Sequence, residues 1–201
     1  MEWYAKWIKP QTDTGDVCPL FQKYFFLEKP IKTARLFITA LGTYEAVLNG
    51  SRVGEFVLAP GWTSYEKRLQ YQAYDITNLL GKDNHISVTV GKGWYRSPMP
   101  GWSKSSVQEE LKKSPAGLIA YEDGSVEYTV TDETWTFTES PVRFSEIYDG
   151  EIYDASMECG SSSAGSGSRD YGSAKPVCAF EGPTHTLIPQ QGEEIREQER
   201  L

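Results

Sequence analysis

The sequence predicts an all-β protein, an antiparallel sandwich with little helix. Three observations carry that reading. Apolar and polar residues alternate at period two through a series of short runs. Turn residues recur about every ten positions, the spacing of short strands in a sandwich. No long stretch keeps helical periodicity. In an antiparallel sheet one face packs on the core while the other meets water, and strict alternation encodes that arrangement.

The elements follow in order. Residues 36–40 form a short apolar run. Tyr44, Ala46 and Leu48 then alternate with Glu45, Val47 and Asn49. Asn49-Gly50 comes next, a pair that tolerates positive φ and signals a tight hairpin, with Arg52 and Val53 starting the return. Leu69, Tyr71 and Ala73 alternate with Gln70, Gln72 and Tyr74, and Ile86, Val88 and Val90 alternate with His85, Ser87 and Thr89. Val126, Tyr128 and Val130 alternate with Glu127, Thr129 and Thr131. A turn at residues 132–134 leads to Trp135 and Phe137, and Val142 and Phe144 continue the pattern. Residues 75–80 read as one helical turn at a corner. Residues 105–113, capped by Ser105, read as one or two turns of helix.

Composition shifts near residue 158. The sandwich is assigned to residues 1–158 and a Gly/Ser-rich linker to 159–175. Residues 176–201 are too poor in apolar mass for a domain; they read as a tail packed on the sandwich or as the first strand of a following domain.

Charge and cysteine usage exclude several function classes. The 201 residues carry a net charge of -8 with no Lys/Arg cluster, which argues against nucleic acid and anionic membranes. No apolar run approaches the ~20 residues that span a bilayer. Cys18, Cys159 and Cys178 are widely spaced, form no CxxC pair, and read as free thiols in a reducing cytosol, so a cytoplasmic location is expected. His85 and His185 are too few for a His-rich metal site.

No GxSxG, P-loop or GxGxxG motif occurs. Acidic residues gather at Glu146, Asp149, Glu151 and Asp154. The favoured reading is solvated turn acids. Calcium binding is a second reading, and an acid/base pair facing across ~5–10 Å is a third. The aromatic loops are more informative. Trp62, Tyr65 and Arg68 lie in one, Trp94, Tyr95 and Arg96 in another, and Trp102 extends the excursion between Pro100-Gly101 and Ser103-Lys104. Flat aromatic faces with planar Arg groups suit a sugar, which shows C–H bonds on its faces and hydroxyls at its rim. Two readings stand for Trp62 and Trp94: sugar platforms, or packing caps over the sandwich ends. Trp135 is expected in the core, and Trp3 and Trp7 as anchors of the N-terminal segment.

Separated motifs in this order resemble a known family. Residues 40–50 (ALGTYEAVLNG), Val53-Gly54, residues 58–65 (LAPGWTSY), residues 71–80 (YQAYDITNLL) and Gly93-Trp94-Tyr95-Arg96 are similar to the N-terminal domain of bacterial α-L-rhamnosidases, glycoside hydrolase family 78. Asp149-Gly150-Glu151 with Tyr153-Asp154-Ala155 resembles the family's closing motif, with Ser156 where that motif commonly has Arg. A looser pattern is shared with the jelly rolls that open β-galactosidase-like and β-glucuronidase-like enzymes.

The resemblance implies a jelly-roll β-sandwich of galactose-binding-like type, an accessory piece of an inverting rhamnosidase. Its acid and base would lie in a helical barrel downstream, so this chain is expected to be inactive by itself, with the barrel as its partner. Rhamnose-containing glycans are the implied ligands, with Trp62, Tyr65, Arg68, Trp94, Tyr95, Arg96 and Trp102 as candidate contacts. Within this reading a structural wedge that packs on the barrel and binds no sugar is slightly favoured over sugar recognition. A stand-alone carbohydrate-binding module, or the opening jelly roll of a β-galactosidase- or β-glucuronidase-like hydrolase, is the alternative. Some relatives bind rhamnose through calcium; the resemblance assigns no calcium ligands here.

Overall fold

The computed structural model describes residues 3–29, 31–97, 118–124, 127–157, 173–183 and 186–198, with backbone alone for those between 118 and 128. The helix expected at 105–113, the linker core at 159–172, Trp102, Cys159 and His185 lie outside the described residues.

The strands are β1 (Trp7–Pro10), β2 (Pro19–Phe26), β3 (Arg35–Ala40), β4 (Thr43–Leu48), β5 (Ser51–Arg52), β6 (Leu69–Asp75), β7 (Asp83–Gly91), β8 (Leu118–Gly124), β9 (Glu127–Val130), β10 (Thr136–Glu139), β11 (Val142–Glu146), β12 (Gly150–Tyr153), β13 (Lys175–Phe180) and β14 (Leu187–Pro189). Two short 3₁₀ turns, Thr77–Leu79 and Ala155–Met157, are the helical content among the described residues.

One 12-stranded ladder runs β14-β6-β3-β8-β1-β13-β10-β2-β7-β4-β5, with β9 beside β8. All pairings are antiparallel except β14 on β6. The ladder folds back on itself. Ile8, Leu36 and Ile38 from one half meet Phe21, Ala46, Leu48, Val88 and Phe137 from the other in one buried cluster. β13 is the joint: it pairs with β1 through Trp7↔Phe180 to Pro10↔Val177, and with β10 through Thr136↔Pro176 and Phe137↔Lys175. Val177 reaches the core, so this segment is integral to the sandwich.

Alternation predicts the inward faces of β4 and β7 correctly. Tyr44, Ala46 and Leu48 are buried, as are Ile86, Val88 and Val90. Asn49 (φ 51) and Gly50 (φ 81) make the expected hairpin turn. Trp135 is 2% exposed, in the core as expected. β6 departs from its pattern. Gln70, Gln72 and Tyr74 are buried while Ala73 faces solvent and Tyr71 is half-buried. Hydrogen bonds to the glutamine amides make the burial tolerable, since a buried polar group is costly only when unpaired.

Gly42 marks a close crossing of the β3–β4 turn and the end of β7. Its φ is 146°, and a Cβ there would lie 2.0 Å from the Gly91 carbonyl oxygen. Gly15 also has positive φ (58°) but open space around it. Gly42→Ala is therefore expected to destabilise by more than ~2 kcal/mol and Gly15→Ala by only about 1 kcal/mol. Urea unfolding of both variants checks the difference.

Candidate functional site

The loop from β5 to β6 carries Trp62. Leu58 holds a left-handed φ of 63°, the Ala59–Pro60 peptide is cis, and Gly61 has a φ of 87°. A left-handed non-glycine residue costs on the order of 1 kcal/mol or more, so surrounding bonds must fix it. They do. The Tyr44 amide donates to the Ala59 carbonyl at 2.8 Å, and Gly61 donates back to Leu58 at 3.0 Å. Thr63 Oγ1 donates to the Arg68 carbonyl at 2.5 Å, closing the loop's far side. Trp62 stands on this braced segment 60% exposed. The packing-cap reading does not describe it.

Tyr65 takes a different part. Its ring meets Tyr95 edge-on at 4.9 Å, and its hydroxyl donates to the Gly61 carbonyl at 3.4 Å. Both rings pack on the second apolar cluster, with Trp7, Leu41 and Leu69. Burial pushes the Tyr65 phenol well above its ordinary pKa. The pair supports the loop from within. Arg68 is exposed, while Trp94 is half-buried.

Arg96 lies elsewhere. Its guanidinium is mostly removed from water, and burial lowers its pKa; the Asp16 carboxylate and the neutral Cys18 thiol, just before β2, are its neighbours. Among the described residues its Nε has no hydrogen-bond partner. The structure thus joins Tyr65 to Tyr95 and sets Trp62 and Arg68 on one loop, but turns Arg96 inward. Trp102 lies outside the described residues.

The acidic segment builds turns. Glu146 is only 5% exposed, which corrects its reading as a solvated acid. Its Oε2 accepts the amides of Tyr148 at 2.7 Å and Asp149 at 2.6 Å, capping the β11–β12 turn. Asp154 accepts the Ser156 hydroxyl and amide, and these bonds hold its carboxyl below the usual range. Among the described residues no three His, Cys, Asp or Glu side chains gather as metal ligands.

Sequence reasoning missed the glutamines beneath the loop. Gln72 Nε2 donates to the Pro60 carbonyl at 3.4 Å and to Gln190 Oε1 at 2.6 Å, while its Oε1 accepts the Tyr44 hydroxyl at 2.7 Å. Gln70 Nε2 also reaches the Pro60 carbonyl, at 3.5 Å, and its Oε1 accepts the Gln191 amide at 2.6 Å. The signal was present: two glutamines at period two in a strand, opposite a Pro-Gly-Trp loop.

Comparison with known proteins places this geometry. The α-L-rhamnosidase N-terminal domain family matches residues 29–199. An α-L-rhamnosidase of Formosa agariphila is 37% identical over 165 residues, covering 74% of this chain and 18% of that protein. The crystal structure of an Aspergillus terreus α-L-rhamnosidase superposes with a TM-score of 0.78 at 34% identity, over 92% of this chain and 22% of that one. A Streptomyces avermitilis α-L-rhamnosidase solved with L-rhamnose gives 0.75 at 29% identity, over 91% and 18%. The chain therefore spans about a fifth of the length of the relatives it matches.

Trp62→Ala is expected to leave stability within about 0.5 kcal/mol, because the ring packs little, whereas Tyr65→Ala costs about 2 kcal/mol or more; denaturant unfolding separates the two. A second expectation concerns Cys18, whose buried thiol is pushed up from 9.0 to about 11. The unfolded chain releases this proton first, so the folded state binds more protons in that window and stability falls as pH rises through it. Cys18→Ala should flatten the dependence of unfolding free energy on pH there, by up to about 1.4 kcal/mol per pH unit.

Proposed function

We propose, because this chain belongs to the α-L-rhamnosidase N-terminal domain family, that it is the non-catalytic accessory sandwich of a larger α-L-rhamnosidase. In this reading it supports the catalytic barrel and presents Trp62 to rhamnoside substrates. The observation that carries the proposal is the extent of the match: nearly the whole chain aligns, yet it accounts for 18% of the Formosa protein and 22% of the Aspergillus chain. The acids at 146–154 support the same view. Glu146 Oε2 and Asp154 Oδ1 are each engaged by turn groups, and Glu146 is buried beneath its turn rather than open to a substrate.

Trp62 supports the recognition half of the proposal. An exposed indole on a braced loop offers a flat apolar face on a backbone that is already ordered. A 6-deoxy sugar has a methyl group where hexoses have a hydroxymethyl, and that raises the value of an aromatic contact. Arg68, exposed on the same loop, supplies donors for the hydroxyl rim. The free thiols of Cys18 and Cys178 favour a cytosolic location.

Titration of the isotope-labelled chain with L-rhamnose, with and without calcium, tests the recognition half. The Trp62 indole signal is expected to move saturably, and in Trp62→Ala the sugar is expected to move none of the neighbouring amide signals in either condition. Silence up to tens of millimolar sugar would remove that half and leave a purely supporting domain. The purified chain is expected to give no turnover of an aryl α-L-rhamnoside; turnover would overturn the non-catalytic reading.

A further inference from the structure

We infer a second saccharide site, independent of the Trp62 loop, in a groove on the outer face of the β2–β7–β4 sheet. The groove encloses about 310 Å³ and is walled by Ser140, Pro141, Val142 and Tyr153 of the β11–β12 hairpin and its approach. Strand register sets its floor. On one face, Tyr24 stands opposite His85 and Leu20 opposite Thr89, while Glu45 flanks Thr89 and Val47 flanks Ser87. Arg52 comes from the hairpin strand beyond, opposite Val47.

The chemistry of the floor selects an uncharged polar ligand. Glu45 and Arg52 pair at 3.5 Å, so the charges in the groove sum to zero. That complements neither a phosphate nor a cation. The backbone of the three floor strands is engaged in its own ladders, so an added peptide strand finds no partner groups. Ser87 and Thr89 offer hydroxyls, and the ion pair offers a carboxylate and a planar fork, the groups that bind vicinal diols. Tyr153, 47% exposed, supplies a flat wall. Tyr24, outside the lining, stacks on the His85 ring at 4.2 Å and 18° and backs that floor residue. Gln22 Oε1 contacts His85 Nε2 at 3.2 Å and orients the ring, and burial lowers the His85 pKa, keeping it neutral at pH 7. The volume lies at the low end of ligand pockets, which run about 300–1,000 Å³, and suits a mono- or disaccharide.

The test is an amide-resolved NMR titration of the chain with two neutral disaccharides, rutinose (which carries rhamnose) and cellobiose. Saturable shifts at His85, Ser87 and Thr89 with either sugar are expected, with binding weakened at least tenfold in both Tyr153→Ala and Arg52→Ala. Both side chains reach solvent, so both variants should keep the wild-type spectrum elsewhere. Shifts confined to Trp62 and Arg68 would overturn the groove and leave the loop reading standing. Groove shifts with a silent Trp62 would support the groove and count against the loop. No shift at the groove with either sugar, or unchanged affinity in both variants, would overturn it.

Discussion

Everything in this molecule depends on β13 holding two neighbours at once. Its Trp7↔Phe180 register joins it to β1 and its Thr136↔Pro176 register joins it to β10. Those partners belong to opposite halves of the ladder, so the strand converts two open sheets into one folded-over surface around a shared core. Without it, β1 and β10 would each present unpaired amides and carbonyls, the edge that sandwiches avoid. The Trp62 loop rides on one half and the polar groove on the other, so their relative placement is set by this one segment of chain.

Much of this was legible in the sequence, and the failures share a cause. Strands with one wet face announced themselves: β4 and β7 alternate cleanly, and the Asn49-Gly50 turn marked β5 as the hairpin partner of β4. β2 went unassigned because Leu20-Phe21 and Phe25-Phe26 are adjacent pairs, and both faces of that strand carry apolar residues. β13 begins with Lys175-Pro176 beside a Gly/Ser-rich tract, and its apolar run, Val177 to Phe180, shows no alternation that marks it as the joint of a fold. β6 misled in a subtler way. Period-two reasoning puts polar residues outside, and here the glutamines go inside because distant groups, Pro60 and Gln190, complete their hydrogen bonds. Pairings across 118 residues of sequence leave no local trace.

The candidate site shows the same division. Trp62 and Arg68 could be placed on a surface loop from their neighbours alone. That Tyr65 and Tyr95 would turn toward each other, that Arg96 would turn toward Cys18, and that Glu146 would bury itself under a turn are outcomes of three-dimensional packing. The resemblance to rhamnosidases carried the family, because ordered motifs survive where individual side-chain directions cannot be read. The buried amide of Gln72 is the most instructive of the missed features. It contacts a strand of the opposite half, a loop and the C-terminal segment, and a fully paired buried amide of this kind specifies one arrangement more sharply than an apolar side chain can.

The C-terminal segment has one more consequence. After β14 it runs under the Trp62 loop, where Ile195 accepts the Val57 amide at 2.8 Å and Arg196 pairs with Glu55 at 3.2 Å. A tug on the backbone near residue 198 is thus transmitted first to residues 55–57, a few positions from the exposed indole. The segment acts as a drawstring: tension applied from its end would reach the platform before it reached the core.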